Sequence, residues 1–316
     1  MINRILILGT GLIGASTGLA LRAAGFPGEI LGFDASAAEL ATAQSSGAID
    51  TFARSRAEAI EIARTADLIL LATPVLAILD WIELLAPVLT PRQLLTDTGS
   101  TKLQIAASAQ RHFNHPHTAA FLPGHPMAGK ESGGAALAEA TLFRDAIWLF
   151  TPPESSSESS AAPAATPHPF EPSPRPTAAP AAAPHPLAAE WRALVARFGA
   201  RTLDLDPTRH DELCAWVSHL PQMLSTALAA LLEDTFGNDP ARRAEIAAIG
   251  GRALRETTRL GASPYSMWRD VALTNTEPIA ATLLALEQRL QHLRENLRTH
   301  ELREEFTLAN HFRSRP

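Results

Sequence analysis

At 316 residues the chain is long enough to bury two cores, and 46% hydrophobic with 19% charged residues is the composition of an ordinary globular protein. A formal net charge of −6, without a Lys/Arg cluster able to track phosphates, argues against nucleic acid as the main partner. The single cysteine, Cys214, excludes an intrachain disulfide and a multi-cysteine metal site, and no metal centre is expected. In Leu213-Cys214-Ala215-Trp216-Val217 it reads as a buried, inert thiol. No apolar stretch approaches the ~20 residues of a membrane-spanning helix. The apolar start Ile5-Leu6-Ile7-Leu8 breaks at Gly9 without a cleavage site, so the cytoplasm is the expected compartment.

Residues 4–8 predict a buried parallel strand: short, continuous, apolar and ended by glycine. A helix is expected from Leu12 to Ala24, a strand from Glu29 to Phe33 ending on Asp34, and a helix from Ala37 to Ser45. Asp67 to Ala72 is a second buried strand, stopped by Thr73-Pro74; Val75 to Leu85 is helical, and Gln93 to Thr96 is a strand. Thr118 to Leu122 and Ala146 to Phe150 read as the last strands before the composition changes. Alternating strands and helices with short links predict an α/β fold, a Rossmann-type doubly wound parallel sheet covered on both faces.

From Thr151 to Pro186 the chain is almost entirely Pro, Ala, Ser and Thr, and is expected to be a disordered insertion within the first domain. Order is expected to resume with a helix at Leu187 to Phe198 and a strand at Arg201 to Asp206. Helices are then expected over Asp211 to Phe236, Ala241 to Leu260 and Tyr265 to about Arg303. The domains expected are thus 1–186 for cofactor binding and 187–316, mainly helical, for substrate binding and dimerisation. Leu283, Leu284, Leu286, Leu290, Leu293 and Leu297 fall at helical spacing, a stripe that packs in the core or on a second subunit.

Gly9-x-Gly11-x-x-Gly14 directly follows a predicted strand and opens a predicted helix. There the glycines allow a tight turn, close approach of a pyrophosphate, and close helix–strand packing. The helix N-terminus would face the phosphates with unpaired N–H groups and its positive dipole end. Cofactor contacts are therefore expected from Gly9, Gly11, Leu12, Ile13 and Gly14, and from Thr73-Pro74 at the end of the neighbouring strand. Asp34 lies about twenty residues past Gly14, where a carboxylate accepts bonds from ribose hydroxyls and repels a 2′-phosphate. No arginine follows closely, so NAD is favoured over NADP; the alternative is that Asp34 only caps the next helix.

Four further segments carry reactive side chains. They are Thr96-Asp97-Thr98-Gly99-Ser100-Thr101-Lys102, Gly124-His125-Pro126-Met127-Ala128-Gly129-Lys130-Glu131, Val217-Ser218-His219-Leu220-Pro221-Gln222, and Glu256-Thr257-Thr258-Arg259-Leu260 with Met267-Trp268 downstream. His125, fixed by a following proline in a glycine-rich loop, is the lone positioned imidazole expected of a dehydrogenase. Its neutral form, with an ordinary pKa of about 6.5, can accept a proton near working pH. A guanidinium such as that of Arg259 grips a carboxylate in a bidentate fork and stays charged.

With Gly11-Leu12-Ile13-Gly14 at the start, these motifs resemble the prephenate/arogenate dehydrogenase family, in family order and over nearly the whole chain outside the insertion. The resemblance implies oxidation of prephenate or arogenate by NAD(P) with loss of the ring carboxylate as CO₂, in tyrosine biosynthesis, by a homodimer. It implies that His125 is the catalytic histidine and that Ser100 binds the same hydroxyl. It further implies that Arg259 holds a substrate carboxylate, His219 and Trp268 line the pocket, and Glu131 stands at its entrance. Gln222 stands where many relatives have a second histidine, and Ala253-Leu254 where they have Gly-Phe, which bears on substrate preference. The chain leaves no room for an appended mutase or regulatory domain of the type some relatives carry.

Structural alternatives remain for several of these residues. Ser100 could cap the following helix, Arg259 could pair with Glu256, and His219 and Trp268 could be plain core. Lys102 has no assigned role beyond its nearness to a helix start. NAD-dependent prephenate dehydrogenase is the expected function, with an arogenate or dual-specificity enzyme as the alternative. A non-catalytic NAD-sensing protein of the same fold is the more distant one.

Overall fold

The computed structural model describes residues 1–115, 117–152 and 185–314; the segment 153–184, most of the expected insertion, lies outside the described residues. Two compact units form, one ending at His210 and the other beginning at Asp211. The first is built from β1 (Arg4–Leu8), α1 (Leu12–Ala23), β2 (Glu29–Phe33), α2 (Ala37–Ser45), β3 (Thr51–Phe52) and α3 (Arg56–Ala63). It continues with β4 (Leu68–Leu71), α4 (Val75–Leu85), β5 (Leu94–Asp97), α5 (Leu103–Phe113) and β6 (Ala120–Leu122). The six strands are all parallel in the order β3-β2-β1-β4-β5-β6, the Rossmann order with its switch point between β1 and β4.

The near-continuous apolar strands are explained by burial on both faces. Ile5, Ile7, Leu68 and Leu70 face one core, while Leu6, Leu8, Ile69 and Leu71 face the other. The short β3 and α3 carried too little apolar pattern to be expected. Ser55 nonetheless starts α3 by accepting from the Glu58 N–H at 3.1 Å, an ordinary N-cap.

A second, three-stranded sheet was not expected. It consists of β7 (Gly124–Pro126), β8 (Ile147–Phe150) and β9 (Arg201–Asp204), with β7 antiparallel and β9 parallel to β8. Gly-His-Pro reads as a loop because glycine and proline are depleted in strands, yet β7 lies at the sheet edge with its proline last, where proline is tolerated. Its core is aromatic: Trp148 meets Trp191 edge-to-face at 5.8 Å and packs on Phe143, Phe150 and Phe198. Trp191 comes from α6 (Pro186–Arg197), so α6 and β9 belong to the first unit. The unit boundary therefore falls at 210/211, later than the expected 186/187.

One carboxylate bridges the two sheets. Asp97, at the end of β5, accepts from the Gly99 N–H at 2.7 Å through Oδ2 and from the Gly124 N–H at 3.1 Å through Oδ1. Lys102 Nζ donates to the same Oδ2, and both side chains are fully buried. A buried charge is costly unless it is paired and hydrogen-bonded, and the ammonium with the two N–H groups offsets that cost.

The second unit is helical. It comprises the second half of α7 (Pro207–Cys214), a π turn (Ala215–His219), α8 (Leu220–Phe236), α9 (Pro240–Ile249), α10 (Gly251–Thr258), and a 3₁₀ turn (Arg259–Ala262). It then adds α11 (Tyr265–Thr274), α12 (Thr276–Glu295) and α13 (Glu301–Ser314). The expected long helices are thus interrupted. Gly251, at φ +59°, breaks 241–260, and Asn275 breaks the run from Tyr265. The π turn precedes Pro221, which has no N–H to donate and whose ring would crowd the carbonyl four residues back in a regular α-helix. No helix among the described residues is long and apolar enough to cross a membrane.

Replacing Lys102 by Met should cost about 3–5 kcal/mol, because it strands the Asp97 charge in the interior. Urea unfolding measures this directly, and a loss well under 1 kcal/mol would show that the pair does not hold the sheets.

Candidate active site

The glycine loop sits at the switch point. Gly9 has φ +96°, and a Cβ there would lie 2.5 Å from the Ala72 carbonyl oxygen; at Gly14 it would lie 1.9 Å from the Gly9 oxygen. Both positions need glycine for the protein's own packing. Gly11 is different: its φ of −68° is open to any residue, and a Cβ there meets nothing within 4 Å. The space lies before the N-terminus of α1, which has no side-chain cap and no acid in its first turn. A cradle that a Cβ would fill, in front of unpaired helix N–H groups, fits a pyrophosphate.

Nearby polar groups fit the rest of a dinucleotide. The hydroxyls of Thr10 and Thr73 are buried with no hydrogen-bond partner in the protein. Asp34 accepts from the Thr10 N–H at 2.8 Å and from the Ser36 N–H at 2.9 Å. Ser36, not Asp34, caps α2. Two acceptor positions of the carboxylate are thereby used, and about two more remain for ribose hydroxyls. Leu12 and Ile13 open α1, and Pro74 precedes α4.

Asp97 sets the next two residues. The N–H groups it holds belong to Gly99 and Gly124, each one residue before a predicted catalytic side chain, Ser100 and His125. Ser100 is not the N-cap of α5; that position is Lys102, whose side chain turns to Asp97 and does not cap the helix. His125 is buried on β7 opposite Leu149. Its Nδ1 lies 2.9 Å from Nε2 of the fully buried His210. Glu131 is half-buried on the segment following β7. That segment is pinned by the Glu39 carboxylate accepting from the Ala135 N–H at 2.5 Å and Ser16 Oγ from the Glu139 N–H at 3.0 Å.

In the second unit, His219 ends the π turn and is buried. Its ring meets Trp268 edge-on, with centroids 5.8 Å apart, so the two predicted pocket residues are brought together. Asn275 Nδ2 donates to the Asp211 carbonyl at 2.9 Å, which fixes that nitrogen as the donor, and lies 3.1 Å from His219 Nδ1. His219 Nδ1 is therefore the acceptor, and in the neutral ring Nε2 carries the proton. Trp268 Nε1 is buried without a partner. Arg259 is exposed on the 3₁₀ turn, and Glu256 pairs with Arg252 at 2.5 Å.

Gln222, expected among the substrate-binding residues, is tied into its own unit. Its Nε2 donates to the Leu260 carbonyl at 2.7 Å and to Thr226 Oγ1 at 3.1 Å, and its Oε1 accepts from Ser263 Oγ at 3.2 Å. With both donors engaged and the residue buried, it holds the turn that carries Arg259.

Sequence reasoning did not single out Asp97, His210 or Asn275, which contact the predicted site segments. Asp97 and Lys102 stood in a motif already singled out, and a Lys five residues from an Asp beside apolar strand positions was the available signal.

The family model described as "Prephenate dehydrogenase, nucleotide-binding domain" matches residues 17–165, and "Prephenate dehydrogenase, dimerization domain" matches 206–313. A prephenate dehydrogenase of Lactococcus lactis subsp. cremoris is 32% identical over 294 residues, covering 93% of this chain and 70% of that protein. The crystal structure of Synechocystis arogenate dehydrogenase aligns with a TM-score of 0.69 at 27% identity, covering 98% of each chain. Prephenate dehydrogenase from Aquifex aeolicus, in complex with hydroxyphenyl propionate and NAD⁺, shares the fold at a TM-score of 0.75 and 24% identity, over 99% of this chain and 96% of that one. With both domain models matched in order and a 32% identical relative aligned along most of its length, the chain belongs to the prephenate dehydrogenase family of oxidoreductases.

Proposed function

We propose that this enzyme oxidises prephenate with NAD and releases the ring carboxylate as CO₂, forming 4-hydroxyphenylpyruvate for tyrosine biosynthesis in the cytoplasm. The observation that supports this most directly is the buried His125, a positioned imidazole on β7 whose Nδ1 is held by His210 at 2.9 Å. The Gly11 cradle, the N–H groups of Leu12, Ile13 and Gly14, the Thr10 and Thr73 hydroxyls and Asp34 would hold the cofactor. Its carboxylate disfavours a 2′-phosphate, hence NAD. Bound there, NAD supplies the hydride acceptor.

The chain's own groups handle the proton and the charges. As the hydroxyl-bearing carbon loses its hydride, Nε2 of His125 takes the hydroxyl proton while Ser100 holds the oxygen by a hydrogen bond. When the C–C bond to the carboxylate breaks, its electron pair enters the ring and the oxygen regains a proton from His125 as the phenol forms. No net proton is released. Arg259 pairs with a substrate carboxylate, His219 Nε2–H donates a hydrogen bond, Trp268 forms an apolar wall and Glu131 flanks the entrance.

The enzyme is proposed to be a homodimer. The dimerization-domain match supports this, as do the exposed apolar side chains Leu224, Leu231, Leu284, Leu290, Phe306 and Phe312 on α8, α12 and α13.

His125→Asn should retain NAD binding, read by fluorescence titration, and lose roughly 10²–10⁴ in kcat, the usual span for a general base. A variant keeping more than half of the wild-type rate would remove His125 from the mechanism. Arg259→Ala should lower kcat/KM roughly 10- to 150-fold, equivalent to about 1.5–3 kcal/mol for a hydrogen bond to a charged group, with NAD affinity unchanged. An equal fall in NAD affinity would make the residue structural. Steady-state kinetics with prephenate and arogenate at saturating NAD should favour prephenate in kcat/KM with measurable arogenate turnover. A preference of about tenfold or more for arogenate would instead assign the alternative substrate, since tenfold corresponds to a full 1.4 kcal/mol of discrimination.

A further inference from the structure

Two buried imidazoles face each other in the first unit. His125 Nδ1 and His210 Nε2 are 2.9 Å apart, with ring centroids 5.1 Å apart and planes inclined at 55°. That is an in-plane hydrogen bond, not a stack. His210 is delivered by the first turn of α7, where Asp206 accepts from the Arg209 N–H at 2.8 Å through its side chain and from the His210 N–H at 2.9 Å through its carbonyl. Pro207 begins that turn with its φ already set. The second ring therefore comes from a capped helix start and not from a mobile side chain on a loop.

One hydrogen can occupy a nitrogen–nitrogen bond of this length, and which ring owns it decides what His125 can do. If it sits on His125 Nδ1, the neutral His125 has its lone pair on Nε2 and can take a proton from substrate. If it sits on His210 Nε2, then His125 Nδ1 is the acceptor, the neutral His125 carries its hydrogen on Nε2, and it cannot act as a base. Resting on the reading of His125 as the general base, we propose that His210 is a positioning residue that accepts from His125 Nδ1–H and fixes the competent tautomer. A neutral imidazole performs this without introducing a buried anion, which suits a group with no exposed surface. It also leaves the charge on His125 shared across two rings during decarboxylation, after which the proton returns to the substrate oxygen.

The test compares His210→Leu, which has no acceptor, with His210→Gln, whose amide oxygen can accept from His125 Nδ1–H. His210→Leu should lower kcat by roughly 10² or more, toward the ~10⁴ loss seen when a catalytic histidine is left in the wrong tautomer. KM for prephenate and NAD affinity should stay close to wild type, and His210→Gln should recover most of kcat. Independently of folding of either variant, long-range ¹H–¹⁵N NMR of histidine-labelled wild-type enzyme should show His125 protonated at Nδ1. The proposal is overturned if His125 is protonated at Nε2 in the neutral enzyme, or if His210→Leu keeps kcat near wild type. It is equally overturned if both variants lose kcat, NAD affinity and melting temperature together. His125→Asn run alongside separates the two levels: an active His125→Asn defeats the proposed function itself, whereas an inactive one beside an active His210→Leu defeats only the role of His210.

Discussion

The carboxylate of Asp97 is the constraint on which the catalytic half of the first unit depends. It ends a central strand of the parallel sheet and holds the turn before Ser100 through Gly99. It also bonds the first residue of β7 through Gly124, so one side chain ties the strand carrying His125 to the end of β5. Such a hub needs an ionised acceptor in a place with no water, and the fully buried Lys102 ammonium is what makes that ionisation tolerable.

Much of the parallel sheet was legible because burial on both faces leaves an unmistakable record: short apolar runs, each closed by glycine, proline or a polar turn. The glycine fingerprint was legible for the same reason, since Gly9 and Gly14 are fixed by contacts of 2.5 Å and 1.9 Å that any Cβ would make. What escaped notice depended on partners distant in sequence. β7 is three residues long and flanked by strand-poor residue types, so only its pairing with β8 reveals it. Lys102 looked like an ordinary residue at a helix start because its partner lies across a turn with no periodicity. Gln222 was legible as a polar residue on an apolar helix, but its engagement with Leu260 and Ser263, about forty positions downstream, was not.

The histidines show how far residue type falls short of role. His125, His210 and His219 are all buried, yet their partners differ in kind: the first two face each other's imidazole and the third an amide. The amide of Asn275 has its orientation fixed by a backbone carbonyl, which makes His219 an Nε2–H donor suited to an anionic or carbonyl oxygen. His125 has a partner that can act in either sense, which suits a group that must take up a proton and return it. Partner chemistry, not the ring itself, divides binding from proton transfer.

The π turn at Ala215–His219 carries an implication for how this helix tolerates change. A π turn is in effect one residue inserted into an α-helical ladder, and each residue advances the helix by about 100°. Everything from Leu220 onward is therefore rotated relative to the face it would present in an uninterrupted helix. That offset brings His219 to Asn275 and Trp268 and, in the same stroke, Gln222 to the turn bearing Arg259. Point substitutions at the exposed Trp216 and Val217 leave the offset intact. Deleting a single residue there would restore a regular ladder, turn both contacts away together, and drive Pro221 into the carbonyl of the preceding turn. Length, rather than side-chain identity, is the property of this stretch on which both contacts depend.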